Sequence, residues 1–352
     1  MDIQWRRRLA RTLSLVENRE PEWREVLAKC YAEKGNAQIV GISGPPGVGK
    51  STLIDALAVN WAERGDRLGI IAIDPASPFS GGTVLGDRIR MQRSEAYDGI
   101  FLRSMSARGY SGGLNEAIMD ICAVLSSFGI TRILLESVGA GQNDVDIAFV
   151  ADCTLVLSVP GLGDSIQAAK AGLMEVGDIY VVNKGDLPNA NSVAGEISTM
   201  LSLVFTGNPG ANYSPQGASA PSESRRVLPQ HLIDHFGDPY DTNGFWHPPV
   251  LMTTATDTSS TDDLIETIEQ HIDWLRVSGH GGLRQEEKVE RQLRKILRKQ
   301  LFAEMERLIP ATFRGTNSLF EHLCQAVINQ QLDPYTAADR ILKKRRYRTQ
   351  EA

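Results

Sequence analysis

The stretch Gly44-Pro45-Pro46-Gly47-Val48-Gly49-Lys50-Ser51 limits the folds open to this chain more than any other feature. It has the spacing G-x-x-x-x-G-K-[ST] and lies between the apolar run Ile39-Val40-Gly41-Ile42 and a helical pattern at Leu53, Ile54, Ala56 and Leu57. A strand, a glycine-rich loop and a helix, in that order, form the context in which this spacing holds phosphate. The glycines let backbone N–H groups close around the anion at a helix N-terminus, where the helix dipole favours negative charge. Gly44, Pro45, Pro46, Gly47, Val48, Gly49, Lys50, Ser51 and Thr52 are therefore the expected phosphate-contacting set. Lys50 is placed to reach the β- and γ-phosphates, and the Ser51 hydroxyl to ligate magnesium.

A second motif selects the base. Asn183-Lys184-Gly185-Asp186 fits N-K-x-D and follows the apolar strand candidate Ile179-Tyr180-Val181-Val182. A carboxylate at Asp186 can accept from guanine N1–H and from the exocyclic N2 amine. Adenine has neither donor, so it would leave Asp186 without a partner. A hydrogen bond to a charged group contributes ~1.5–3 kcal/mol, so two supply ~3–6 kcal/mol, or roughly 10²–10⁴-fold preference for GTP over ATP. Alone, the tetrapeptide also fits a solvated turn. Its position after a strand and downstream of the phosphate loop favours base recognition.

The fold class follows from the alternation of patterns. Apolar strand candidates at 37–43, 68–73, 100–103, 132–136, 153–159, 179–183 and 249–253 alternate with helical periodicity. This predicts an α/β fold, a mostly parallel sheet flanked by helices, with ligands beyond the carboxyl ends of the strands. Trp5, Leu9, Leu13 and Val16, then Trp23, Val26, Leu27 and Tyr31, predict N-terminal helices over 1–35. The nucleotide domain is expected over 36–278, with an insertion at about 207–249 that is rich in Gly, Pro, Ser and Asn. The aromatics Phe236, Tyr240, Phe245 and Trp246 at its end can dock on the domain or on a partner. From 279 to 352 the chain turns helical and charged. Val289, Leu293, Leu297, Leu301 and Met305 recur every four residues, the mark of an amphipathic helix. Ser318-Leu319-Phe320-Glu321 has capping-box form, and Asp333-Pro334 reads as an N-cap followed by a first helical residue.

Composition removes several classes. Across 352 residues the net charge is −6 and 23% of residues are charged, which offers no bulk attraction for nucleic acid. Cys30, Cys122, Cys153 and Cys324 form no C-x-x-C pair, so reduced thiols in a cytoplasmic protein are expected. No apolar run follows Arg6-Arg7-Arg8, and none approaches the ~20 residues of a membrane span. Neither secretion nor a membrane is expected.

Four carboxylates occupy positions that a magnesium–phosphate site can use. Asp74 and Glu136 end the second and fourth strand candidates, where they face the ligand crevice. Asp87 lies in Gly86-Asp87-Arg88, and Asp164 follows the fifth strand in Pro160-Gly161-Leu162-Gly163-Asp164. Helix N-capping is the alternative role for each. Gln142, in Gly139-Ala140-Gly141-Gln142, is a candidate for orienting an attacking water.

In order along the chain, these blocks resemble the MeaB/ArgK family of P-loop GTPases. The most specific are Asp74-Pro75-Ala76-Ser77-Pro78-Phe79 and Gly86-Asp87-Arg88-Ile89-Arg90-Met91. The resemblance covers about residues 35–275. It implies GTP and GDP binding with magnesium, slow hydrolysis stimulated by a partner, and a homodimer held by the C-terminal helical arm. The implied partner is an adenosylcobalamin-dependent acyl-CoA mutase, such as methylmalonyl-CoA mutase, whose cofactor loading and protection the GTP cycle gates. By motif match, Ser51, Asp74, Asp87 and Glu136 form the metal and switch shell, and Asp164 and Lys170 belong to a switch that senses the partner. Thr254-Ala255-Thr256 takes the place of the second base-contacting segment, with threonine where the family usually has serine. The insertion at 207–249 is the larger departure. Two other functions are compatible with the phosphate loop: a GTPase delivering metal to a nickel or cobalt enzyme, and a P-loop kinase.

Overall fold

The computed structural model describes residues 1–75, 91–107, 115–137, 147–161, 177–205, 230–237, 244–306 and 319–348. Seven strands form one sheet: β1 (Gln38–Ser43), β2 (Leu68–Pro75), β3 (Ile100–Ala107), β4 (Arg132–Glu136), β5 (Cys153–Ser158), β6 (Ile179–Asn183) and β7 (Val250–Thr253). Their order across the sheet is β3-β2-β4-β1-β5-β6-β7, and every pairing is parallel. After β1 the chain builds the β2, β3 and β4 side, then crosses to β5, β6 and β7. The phosphate loop thus leaves β1 where the strand order reverses, the usual ligand crevice of such sheets.

Strands covered on both faces read as continuous apolar runs, and β4, β5 and β6 do so here. Period-2 alternation assigns each side chain to a face. Val40, Ile42, Ile70, Leu134, Leu155 and Val181 pack with Leu53, Leu57 and Trp61 of α3 (Lys50–Glu63). Ile71, Ile73, Ile133 and Leu135 pack on the opposite face with Leu9, Leu13 and Val16 of α1 (Ile3–Glu17). The expected N-terminal helices, α1 and α2 (Trp23–Glu33), are thus part of the sheet's own cover. Ion pairs from Arg19 to Asp120 and from Arg103 to Glu17 reinforce that packing. Four further helices contribute: the short α4 (Gln92–Glu95), α5 (Asn115–Ser127), α6 (Ala190–Phe205) and α7 (Gln230–Phe236). The last of these lies inside the insertion, where sequence periodicity gives no helix. Phe236 and Phe245 are buried against Phe205 and Tyr180, and Trp246 packs beside them. Tyr240 lies outside the described residues.

Next after β7 come α8 (Thr258–Val277) and α9 (His280–Glu306). The chain divides into two compact units, Met1–Arg291 and Gln292–Ala352. The first unit therefore runs some three turns of α9 beyond the boundary at 278 drawn from composition. The reason is electrostatic. Arg284 and Lys288 are buried and meet acids at the amino ends of β5 and β6. Arg284 donates to Asp178 at 2.9 Å, to the Asp152 carbonyl at 3.1 Å and to the His235 carbonyl at 2.6 Å. Lys288 pairs with the Asp152 carboxylate. In the second unit, α10 (Leu319–Ile328) and α11 (Pro334–Arg348) bear out the capping signal in part: the Asp333 carboxylate accepts from the N–H groups of Tyr335 and Thr336.

Asp178 is the centre of a buried charge cluster. His235 Nε2 is 3.1 Å and His271 Nε2 3.3 Å from its Oδ1, and Oδ2 accepts from Thr154 N–H at 2.8 Å. Burial alone would raise the Asp178 carboxyl, but the Arg284 guanidinium, with the two imidazoles, outweighs it and holds the carboxyl well below the usual range. Burial, with Arg284 adding to it, pushes both imidazoles below their ordinary 6.5 despite the neighbouring carboxylate. The permanent guanidinium is therefore the counter-ion, and the histidines are neutral near neutral pH. Cys153, Asp178 and His271 bring ligand atoms within 4.8 Å of one another, the donor types of a transition-metal site. The guanidinium already neutralises Asp178, and burial drives the Cys153 thiol well above its usual value, favouring its protonated form. The cluster is an ion-pair lock.

A pH dependence of stability follows. Imidazoles with folded values below 6.5 bind fewer protons in the folded state, so their contribution is complete above the unfolded value and is lost as pH falls through it. The thermal midpoint should drop between about pH 7 and about pH 5, and a His235→Gln/His271→Gln variant should show a shallower drop. An unchanged slope in that variant contradicts the assignment.

Candidate nucleotide-binding site

The loop Gly44–Gly49 joins β1 to α3 with three left-handed or near-left-handed glycines: Gly44 (φ 150°), Gly47 (φ 80°) and Gly49 (φ 94°). Two are also packed too closely for a side chain. A Cβ on Gly44 would lie 2.6 Å from the Leu157 carbonyl, and one on Gly49 would collide with Asn183 Nδ2. The loop is thus pressed against β5 and β6, while Gly47 faces open space. Lys50 opens α3 and folds back over the loop, where its ammonium donates to the carbonyls of Gly44 at 2.8 Å and Pro45 at 3.1 Å. A buried cation curled over backbone N–H groups at a helix start is the arrangement that binds polyphosphate.

Next in α3, the Ser51 hydroxyl donates to Glu136 Oε1 at 2.6 Å, and both residues are buried. Glu136 ends β4, in register with Ile42 of β1 and Ala72 of β2, so the sheet itself carries this carboxylate to the start of α3. Asp74 lies two residues beyond Ala72 in β2; its backbone is described and its side chain is not. Asp87, Gln142, Asp164 and Lys170 lie outside the described residues.

The N-K-x-D segment meets the phosphate loop directly. Asn183 ends β6 and is buried; its Nδ2 donates to the Val48 carbonyl at 2.8 Å. Lys184, in the left-handed region at φ 57°, reaches the Gly47 carbonyl at 3.3 Å. Asp186 is exposed, with Thr254 Oγ1 at 3.4 Å from its Oδ1. Thr254-Ala255-Thr256 directly follows β7, and the Gly185 N–H donates to the Thr253 carbonyl at 2.8 Å. The sequence-predicted phosphate and base segments therefore line one crevice at the carboxyl edge of β1, β6 and β7. Two contacts were not foreseen: buried Asp55, one turn after Ser51, accepts from Ser94 N and Oγ, and Ser260 closes the loop after β7. Short polar side chains of this kind carry no periodic signal.

A phosphate loop at the reversal of a parallel sheet, tied to an N-K-x-D turn, defines a P-loop GTPase. The comparisons specify which. The model of the family described as methylmalonyl Co-A mutase-associated GTPase MeaB matches residues 9–308, and the chain belongs to that family. A putative GTPase of Pyrococcus abyssi is 40% identical over 339 residues, covering 96% of this chain and 93% of that one. GTPase ArgK of Escherichia coli is 35% identical over 190 residues, 53% of this chain and 57% of its own. Among solved structures, one described as a LAO/AO transport system kinase superposes with a TM-score of 0.61, covering 97% of this chain and 93% of that one at 23% identity, a likeness of fold. The chain is a GTPase, hydrolysing GTP to GDP and phosphate.

The tight packing of one glycine can be tested against the openness of another. Gly49→Ala must displace Asn183 as well as strain its own backbone, whereas Gly47→Ala bears only the strain of a left-handed residue, about 1–2 kcal/mol. Gly49→Ala should weaken GDP binding at least about tenfold more than Gly47→Ala, with far-UV circular dichroism unchanged in both. Equal losses by calorimetry contradict the contact between the two motifs.

Proposed function

We propose that this GTPase gates the loading and protection of adenosylcobalamin in a partner acyl-CoA mutase. The observation that carries the reading is membership of a mutase-associated family over residues 9–308, which takes in the helices on either side of the nucleotide domain as well as the domain itself. In this reading Gly44–Thr52 surround the phosphates and Lys50 offsets charge on the β- and γ-phosphates. Asn183, Lys184, Asp186 and the segment Thr254-Ala255-Thr256 hold guanine.

The chemistry of the crevice suits magnesium. The Ser51 hydroxyl and the Glu136 carboxylate, 2.6 Å apart and buried, are hard oxygen donors of the kind that ion takes together with retained waters and phosphate oxygens. Ser51 and Glu136 would hold it, with Asp74 and Asp87 completing the shell. Bound there, magnesium would neutralise charge on the phosphates during transfer. The residues of the chain supply the remainder: Lys50 fixes the phosphates, and Gln142 orients the attacking water. Hydrolysis then becomes a matter of positioning and fixed charge, the main contributions available to this reaction.

Asp164 and Lys170 follow β5, whose tip faces the crevice, and act as the element that reports nucleotide state to the mutase. The stripe on α9 supports a homodimer. Leu293 is 55% exposed and Leu297 56%, with Leu301 and Phe302 exposed as well, an apolar face of the kind that a second copy covers. The described residues carry no helix long and apolar enough to cross a membrane.

An effector shifts a switch by its differential affinity for the two states, typically by ~1–3 kcal/mol, or about 5–150-fold. Addition of a purified adenosylcobalamin-dependent acyl-CoA mutase from the same cell should raise the GTP hydrolysis rate by a factor in that range. A rate unmoved by every such mutase of the cell refutes the gating role and leaves the GTPase assignment standing.

A further inference from the structure

The turn that follows β7 is built around one side chain. Ser260, in the first turn of α8, accepts from the Thr254 N–H at 3.0 Å, and its Oγ lies 3.0 Å from both the Thr254 and Asp257 carbonyls. A hydroxyl has one proton and two lone pairs, so Ser260 accepts from Thr254 and donates to one carbonyl at a time. The Asp257 N–H also donates to the Thr254 carbonyl at 2.7 Å. Residues 254–257 are thereby closed into a loop whose backbone conformation Ser260 holds from the inside.

The other end of that loop is fixed to the base-reading turn. Thr253 is buried, its carbonyl accepts from Gly185 N–H at 2.8 Å, and its hydroxyl is 3.4 Å from Asn183 Oδ1. Between the two anchors stands Thr254, whose hydroxyl reaches Asp186 Oδ1 at 3.4 Å. That distance is longer than the roughly 2.5–3.0 Å usual between oxygens, so the contact is weak and sensitive to small shifts of the Thr254 backbone. The contact depends on the placement of the Thr254 backbone, which Ser260 holds together with the Asp257 N–H.

We propose that Ser260 is a specificity-determining positioning residue, which acts through Thr254 to hold the Asp186 carboxylate in the orientation that accepts two hydrogen bonds from guanine. The inference rests on the reading of Asp186 as the base-reading group. Ser260 touches no nucleotide. Its effect is on the second of the two bonds, because an ill-held carboxylate can still accept one from N1–H while losing the alignment needed for the exocyclic amine. Hypoxanthine keeps N1–H and lacks that amine, so inosine nucleotides isolate the second bond.

The experiment is calorimetric titration of GDP and IDP into the full chain and its variants. Ser260→Ala should weaken GDP about tenfold and IDP by less than about twofold, so that the preference for guanine contracts. Ser260→Thr, which keeps the hydroxyl, should restore the preference. Thr254→Val, which keeps the side-chain shape and removes only the hydroxyl, should contract it in the same way without disturbing the loop closure. Equal weakening of GDP and IDP in Ser260→Ala, or an unaltered preference in Thr254→Val, overturns the proposal. Asp186→Asn separates the two levels: undiminished GDP binding in that variant refutes the base-reading assignment itself, whatever Ser260 does.

Discussion

The hydrogen bond from Asn183 Nδ2 to the Val48 carbonyl, 2.8 Å long and buried, is the contact on which the rest of the crevice depends. It joins the Gly44–Ser51 loop to the N-K-x-D turn, although the two are far apart in sequence. The packing around it admits little variation. Gly49 is glycine because a Cβ there would strike the Asn183 amide, and Gly44 because the Leu157 carbonyl lies as close on the neighbouring strand. A buried donor left without its acceptor costs ~1–3 kcal/mol, so the two loops are coupled in energy as well as in space. The parallel sheet makes this possible by ending β1, β5 and β6 at one edge.

The two edges of the sheet differ in exposure. At the carboxyl edge, Lys184 and Asp186 are exposed beside the buried Lys50, Ser51, Glu136 and Asn183. At the amino edge, Asp178, Arg284 and His271 are buried and pair with one another. An ion pair of that kind is strongly destabilising to break from one side, at about 3–5 kcal/mol, which makes it a firm anchor for the start of α9 and for the end of the insertion. His235 lies on α7 and contributes both its ring and its carbonyl. The segment that carries α7 is thus fastened to the same lock as the base of the C-terminal helix.

Much of this arrangement was legible in the sequence. All seven strands were, most plainly β4, β5 and β6, because a parallel strand covered on both faces has to be apolar along its length, as Ile179-Tyr180-Val181-Val182 is. The phosphate loop and Asn183–Asp186 were legible because their chemistry fixes residue types at fixed spacings. Arg284 and Lys288 were not. On an amphipathic helix a buried cation and a solvated one look alike, and only the fold brings Asp178 and Asp152 to meet them. Helix α7 was hidden for a related reason: a helix of two turns surrounded by Gly, Pro and Ser has little intrinsic propensity and is held by Phe236 and its aromatic neighbours. Ser260 escaped notice because its role depends on a turn geometry that sequence periodicity does not encode.

The central claim is that one crevice reads phosphate and guanine together. Side-by-side calorimetric titration of GDP and ADP into the unmodified chain, with magnesium present, tests it most directly. Two charge-assisted bonds to Asp186 available only to guanine require GDP to bind at least about 100-fold more tightly than ADP. Comparable affinities for the two nucleotides would contradict the account.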